Sequence, residues 1–396
     1  MDSGMGANKW VLWYLLGLVA LVRGICGPGL NSCVGVLFPW VKEETGMNVG
    51  VLSLFLSIAA IACLITLLLS KKVFSRLRTS AVMLLGGGFV TLSFCLLGLA
   101  SGPILWCLPA LSFGCGTALV VNLLGPSVVH VLLNDRMGFA LGAMTTIASL
   151  VGAVMHPLLV WLIEKMGWRI ACFILGGGGF ALLLLASILF RLSFDKKATK
   201  EEETPIKQGT TWSIRGKSLL VFMAVITAFN MFHQHFATYA KGNGIASDAL
   251  SLALSLSMIG AAVGGILIGK LGDTFGGTCG GVLTLAIGGI SCILFLMAKD
   301  GVGFCIAATL HGIASSGIGV TVPVLAREFF RGRDYTYVLS RVMLGAPLST
   351  IISMPLYGIF YDRLGSYQLP LCQLLLCLFF AGILLIFARK KTSHAM

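Results

Sequence analysis

The stretch Leu21 to Gly35, reading Leu-Val-Arg-Gly-Ile-Cys-Gly-Pro-Gly-Leu-Asn-Ser-Cys-Val-Gly, sets one arginine inside an otherwise uncharged run from Trp10 to Trp40. A run of that length can cross a hydrocarbon core, for which about 20 helical residues suffice. A cation in mid-membrane costs about 3 kcal/mol on insertion scales, so it normally faces a bundle interior or a wet cavity instead of lipid. Gly24, Gly27, Pro28 and Gly29 follow Arg23 directly, and a Gly/Pro-interrupted hydrophobic segment is a sequence pointer to a midplane binding site. The combination points to a membrane protein with an anion-handling cavity.

Composition extends this reading outward. The chain is 57% hydrophobic and 11% charged, with a mean hydropathy of +0.96, far from the roughly 25% charge of soluble domains. Twelve apolar runs recur, near 10–40, 49–70, 79–101, 103–132, 137–163, 168–191, 216–240, 249–271, 278–298, 301–326, 335–361 and 367–388. An all-α polytopic protein in the lipid bilayer is expected. An even helix count puts both termini on one side. If that side is the cytoplasm, the Lys and Arg between the runs concentrate there, and only Lys42, Lys165, Arg169, Lys241, Lys299 and Arg363 fall outside. This is the positive-inside asymmetry. The net charge of +13 is thus topology and no sign of nucleic acid, and a plasma (bacterial inner) membrane location with cytoplasmic termini is expected. Nearly all twelve cysteines sit within the apolar runs without metal-ligand spacing, as small buried hydrophobes.

The one long polar interruption, around Asp195 to Pro205, divides the chain into a first bundle at 1–191, a linker at 192–216 and a second bundle at 217–396. The halves are repeats. At one constant offset Leu52 to Ile58 aligns with Leu250 to Leu256, Lys72 with Lys270, Pro157 with Pro355, Glu164 with Asp362, and Gly167 with Gly365. With six helices each, the halves enter the membrane from the same side.

The segment Gly269-Lys-Leu-Gly-Asp273-Thr-Phe-Gly276-Gly277 matches the G-x-L-x-D-x-x-G loop pattern of the major facilitator superfamily, which the chain resembles over essentially its full length. The first half departs from the pattern, with Lys71, Ser75 and Arg78 where the Gly, Asp and second Gly would stand. Arg136-Met-Gly138-Phe-Ala140-Leu-Gly142 and Gly167-Trp-Arg169 resemble the monocarboxylate and oxalate/formate branch. The resemblance implies two six-helix bundles around a cavity lined by helices one, four, seven and ten, with Gly269, Asp273 and Gly276 in a gating contact at the cytoplasmic face.

Among the polar residues, no carboxylate lies within the core of an apolar run, so an anionic substrate is the natural counter-ion for Arg23. The alternative is a structural arginine satisfied by carbonyls that the glycines free. Asn230, His233 and Gln234 follow i, i+3, i+4 spacing and share a helix face, and Asn31, Asn122 and His311 fall on the other cavity helices. Interhelical hydrogen bonding competes with a cavity role for all of them. Arg341 is placed to snorkel to the interface, with a second anion contact as the alternative. His156 reads as a packing histidine. Gly264 to Lys270 spells G-x-x-x-x-G-K, but Leu271 follows and no strand precedes it, so it is no phosphate loop.

With no nucleophile–base pair, metal cluster or nucleotide site visible, an enzyme and a primary pump are excluded and no cofactor is expected. A sensor would need an output domain. The expected function is secondary transport of a small organic anion, a mono- or dicarboxylate, by a monomer that couples to a proton through His233 or His311 or exchanges one anion for another. Export of a neutral or cationic solute is the alternative.

Overall fold

The computed structural model describes residues 9–125, 128, 137–193, 214–330 and 341–393. Arg136, most of the 192–216 linker, Arg331 and Arg333 lie outside the described residues, as do the side chains of Lys71, Ser75 and Asp273. Among the described residues there are twelve membrane-length helices: α1 Val11–Thr45, α2 Val49–Leu69, α3 Thr79–Leu97, α4 Pro103–Leu124, α5 Gly142–Met166, α6 Trp168–Ser193, α7 Arg215–Gly242, α8 Ser247–Gly272, α9 Gly277–Met297, α10 Gly301–Gly319, α11 Arg341–Leu364 and α12 Gln368–Arg389. Helices satisfy their backbone hydrogen bonds within the segment, which a lipid surround demands. Leu68, Ile104, Val154, Phe379 and Phe387 project from the surface, an apolar exterior suited to acyl chains.

The repeat is written into the backbone. Gly46 after α1 and Gly244 after α7 take φ of 71° and 69°, and Gly167 after α5 and Gly365 after α11 take 83° and 66°. These are two repeat-related pairs, each at a helix end where only glycine enters the left-handed region without cost. The fifth such residue, Gly276 with φ 92°, lies in the α8–α9 loop motif. Its counterpart in the first half is Arg78, which is extended at φ −75° and ψ 155°. The sequence departure in the first loop therefore changes the turn itself.

Side-chain contacts repeat as well. Ser93 Oγ donates to the Pro109 carbonyl at 2.8 Å and Ser291 Oγ to that of Ala307 at 2.9 Å. A Cβ on Gly114 would lie 2.0 Å from the Ala59 carbonyl oxygen, and one on Gly312 would lie 1.8 Å from that of Ser257. In both bundles the same two helices thus touch backbone to backbone, as small residues allow in membranes. Of the glycines on α8, Gly260 and Gly264 face α10 at this range, whereas Gly265 faces open space.

The bundles α1–α6 and α7–α12 meet mainly through α2 against α11 and α5 against α8. The described cross-bundle bonds lie from mid-helix toward the end where α1 finishes, here called the far end. Val49 N and Gly50 N donate to Asp362 at 3.0 and 2.7 Å, and Gly358 packs on the Gly50 backbone. Ser57 Oγ reaches the Ile351 carbonyl at 3.3 Å, and Ser255 Oγ reaches that of Ala153 at 2.9 Å.

Candidate functional site

Four helices lose regular geometry near their middles. In α1, Ile25–Asn31 is a π-helical segment containing Pro28, which has no N–H to offer the preceding turn. In α4 the same wide turn runs over Ala118–Leu124. In α7, Phe232–His235 tightens to 3-10 geometry, matching the 3-10 turn Gly35–Leu37 at the equivalent place in α1. The α10 helix breaks at Ser316, between Gly301–Ser315 and Gly317–Phe329. These are the helices named from the family resemblance as cavity-lining, and local departures of this kind gather at functional sites.

Arg23 stands two residues before the π-helical turn and is half-buried. Its guanidinium lies beside Gly125, the residue that follows α4, where a Cβ would sit 3.7 Å from Nη1, and Met144 of α5 closes the same gap. No hydrogen bond or ion pair joins Arg23 to any other described residue. The carbonyls of the glycine-rich turn do not accept from it either, so the structural alternative considered from sequence is not what the described residues form.

The amides divide into two groups. Asn122 is exposed, with Nδ2 3.4 Å from Cys63 Sγ, and half-buried Asn230 has no partner among the described residues. Gln234 is different: it accepts from Gly35 N at 2.9 Å through Oε1 and donates through Nε2 to the Asn31 carbonyl at 3.1 Å. It is buried, and Gly35 has no room for a Cβ beside its backbone. This corrects the idea of a cavity-facing stripe, because the 3-10 turn rotates Gln234 into the contact between α7 and α1. Asn31 contributes its backbone there, and its side chain is half-buried.

The histidines form a row. His156 of α5 packs edge-on to His233 of α7, with centroids 5.3 Å apart, and His233 stacks toward His311 of α10 at 6.1 Å. His311 donates from Nε2 to the Phe229 carbonyl at 2.9 Å, and its Nδ1 lies 3.4 Å from Ser315 Oγ. His156 donates from Nδ1 to the Gly152 carbonyl at 2.7 Å. The Nε2 atoms of His156 and His233 are buried and have no partner. Sequence spacing could not reveal this row, since its members lie on three helices from two bundles.

The far end carries charges that the sequence reading left unassigned. Asp362 caps the start of α2 and lies 3.8 Å from Lys42. Glu43 pairs with Lys241, its own repeat counterpart. Glu44 accepts from Trp168 Nε1 and Arg169 Nε, while Arg169 Nη1 reaches the Gly98 carbonyl at 3.1 Å. The Gly167-Trp-Arg169 motif therefore staples the far ends of α1, α3 and α6.

At the opposite end, Glu328, on the segment Gly317–Phe329 that continues α10, accepts from Thr278 N at 3.0 Å and Thr278 Oγ1 at 2.9 Å, beside Gly276 and Gly277. A carboxylate thus caps α9 where its dipole favours one. Gly269 is half-buried in the last turns of α8, and the Asp273 side chain is outside the described residues. Arg341 opens the described part of α11 and is exposed, a place suited to snorkelling.

The Major Facilitator Superfamily model matches the chain over residues 16–242 and again over 219–395. The crystal structure of the nucleoside transporter NupG, a point mutant, superposes with a TM-score of 0.76 at 12% identity, over 95% of this chain and 99% of that one. A bacterial homologue of the human lysosomal transporter Spinster, crystallised inward-facing and unoccupied, gives 0.63 at 14% identity, over 98% and 96%. No curated protein matches in sequence. At these identities the structural likeness is one of fold.

Proposed function

Because the chain belongs to the major facilitator superfamily, and is therefore a multi-pass membrane transporter of a small molecule and not an enzyme, we propose that it carries a small organic anion by alternating access. The observation that supports this reading is Arg23, a half-buried guanidinium on a broken cavity helix with no counter-charge among the described residues. A mono- or dicarboxylate supplies that charge and accepts two parallel N–H bonds from the planar fork. Asn122 of α4 and Asn230 of α7 are the polar groups proposed to hydrogen-bond the rest of the substrate. Placement in the monocarboxylate or oxalate/formate branch rests on the sequence motifs.

The two bundles, with bounds near 1–191 and 217–396, rock about this site. The far end is proposed to be the outside, with both termini in the cytoplasm of a plasma (bacterial inner) membrane, so the conformation described is closed outward. Asp362, the Glu43–Lys241 pair and the Gln234 plug are the contacts that release when it opens. Gly269, Asp273 and Gly276 act in the inner gate, Arg341 stays at the inner interface, and the working unit is a monomer. The net cycle is proton symport or anion exchange.

The alternative is a neutral or cationic solute, and the nucleoside transporter named above makes nucleosides the natural comparison. A ligand that binds only the folded state raises its melting temperature. Detergent-purified protein should be stabilised by acetate, lactate or oxalate and not by uridine. Stabilisation by uridine alone would refute the anion proposal.

A further inference from the structure

We propose that the row His156, His233 and His311 is a proton-binding lock between the two bundles, which holds the far end closed while its imidazoles are neutral. This rests on the alternating-access reading and adds to it the group that senses protons.

The row crosses the bundle boundary. His156 belongs to α5, and His233 and His311 belong to α7 and α10, with the edge-on contact of 5.3 Å made across the interface. It sits behind the Gln234 plug: His233 and Gln234 are chain neighbours, and Gly152, to which His156 bonds, packs on Pro28 of α1. Hydrogen bonding assigns the protons. A ring nitrogen facing a carbonyl must carry hydrogen, so His156 donates through Nδ1 and its Nε2 holds a free lone pair. His311 donates through Nε2 to the Phe229 carbonyl. His156 Nε2 is therefore one place where a proton can bind, and the ring nitrogen of His233 that lacks hydrogen is a second, while His235 Nε2, also buried without a partner, lies outside the row.

A proton taken from water adds to one of these lone pairs and makes an imidazolium. No carboxylate lies within the core of an apolar run to neutralise it. The row is packed by Phe236 on His233 and by Phe229, Phe236 and Phe295 on His311, and the Gly152 and Ser32 backbone faces His156. Within the spans Ser247–Gly272 and Gly301–Gly319 the ionisable residues besides His311 are Cys305 and, at the ends of α8, Asp248 and Lys270, while Arg327 and Glu328 lie beyond the α10 span. His235 is engaged separately, with Nδ1 2.9 Å from the Tyr367 hydroxyl. A buried cation beside two imidazoles is costly, and hydration relieves it. Separating α5 from α7 admits that water. Proton binding must then favour the far-open state, because a ligand shifts an equilibrium toward the state that binds it better. Among the described residues no cluster of three His, Cys, Asp or Glu has metal-holding geometry, which favours the proton as ligand.

The test reads the far-end distance directly in the full chain in nanodiscs. Spin labels go on Asn48→Cys of the first bundle and Arg363→Cys of the second, with the exposed cysteines Cys279, Cys372 and Cys377 changed to serine. In the parent, lowering pH from about 8 to about 5 should raise the ratio of long to short distances by about tenfold, across the range where histidine titrates. His233→Gln and His156→Gln should each remove the response, one from each bundle, while His235→Gln keeps it. A parent distance that ignores pH overturns the proposal, and so does a response that survives in His233→Gln or His156→Gln. Arg23→Gln separates the two readings. If carboxylates never bind the parent but the pH response is intact, only the anion proposal fails.

Discussion

Arg23 carries the functional argument at the scale of one residue. A guanidinium that pairs with a carboxylate in a low-dielectric cavity uses a planar fork, which the ammonium of lysine cannot copy. Arg23→Gln should therefore lose carboxylate binding by about 2 to 5 kcal/mol, the usual cost of truncating one member of a buried charge pair. Arg23→Lys should keep part of it. Since no described group depends on Arg23 for a hydrogen bond, the melting temperature of unliganded Arg23→Gln should match the parent. Measuring melting with and without acetate, lactate and oxalate tests both halves, and an early-melting variant that still responds to them would make Arg23 structural. This residue was legible in the sequence because a lone charge in an apolar run is unusual by itself. The fate of Gln234 was not, because its role depends on a 3-10 turn that swings it onto α1.

Elements show which repeat features are kept and which are lost. Asp362 at the end of α11 caps the first turn of α2, whereas its counterpart Glu164 makes no such bond among the described residues. The reason lies in α8, whose first turn carries Asp248 where α2 has Gly50. A second carboxylate there would meet like charge. Asp362→Asn should weaken far-end closure by about 1 kcal/mol, roughly a fivefold shift toward the open state, as expected for losing a charge at a helix N-terminus. Faster labelling of a cysteine at Asn48 would register it, and an unchanged rate would remove Asp362 from the gate. Close helix packing gives a second expectation. Gly312→Ala forces a methyl onto the Ser257 carbonyl and Gly114→Ala forces one onto that of Ala59. Each should cost about 1 to 3 kcal/mol by overpacking. Gly265→Ala points into open space and should melt like the parent. The sequence announced glycines along α8, but Gly260 and Gly264 could be told from Gly265 only once α10 was placed beside them.

For the whole molecule, twelve spans and the repeat could be read from hydropathy and one constant offset, since both follow from the chain's own periodicity. The cross-bundle contacts could not. His156 meets His233, and Glu43 meets Lys241, only because two bundles fold separately and then close on one another, so no spacing along the chain encodes either pair. The proposed orientation rests on the positive-inside asymmetry. A membrane-impermeant thiol reagent should reach cysteines placed at Thr45 and Asn243 in intact cells but not at Glu202 or Lys391. The most direct measurement is uptake by the purified chain in proteoliposomes, comparing labelled acetate, lactate and oxalate with uridine. Carboxylate entry above that of protein-free vesicles, lost in Arg23→Gln and accompanied by no uridine entry, is the predicted result. Uridine uptake without carboxylate uptake, or carboxylate uptake that Arg23→Gln leaves unchanged, would contradict it.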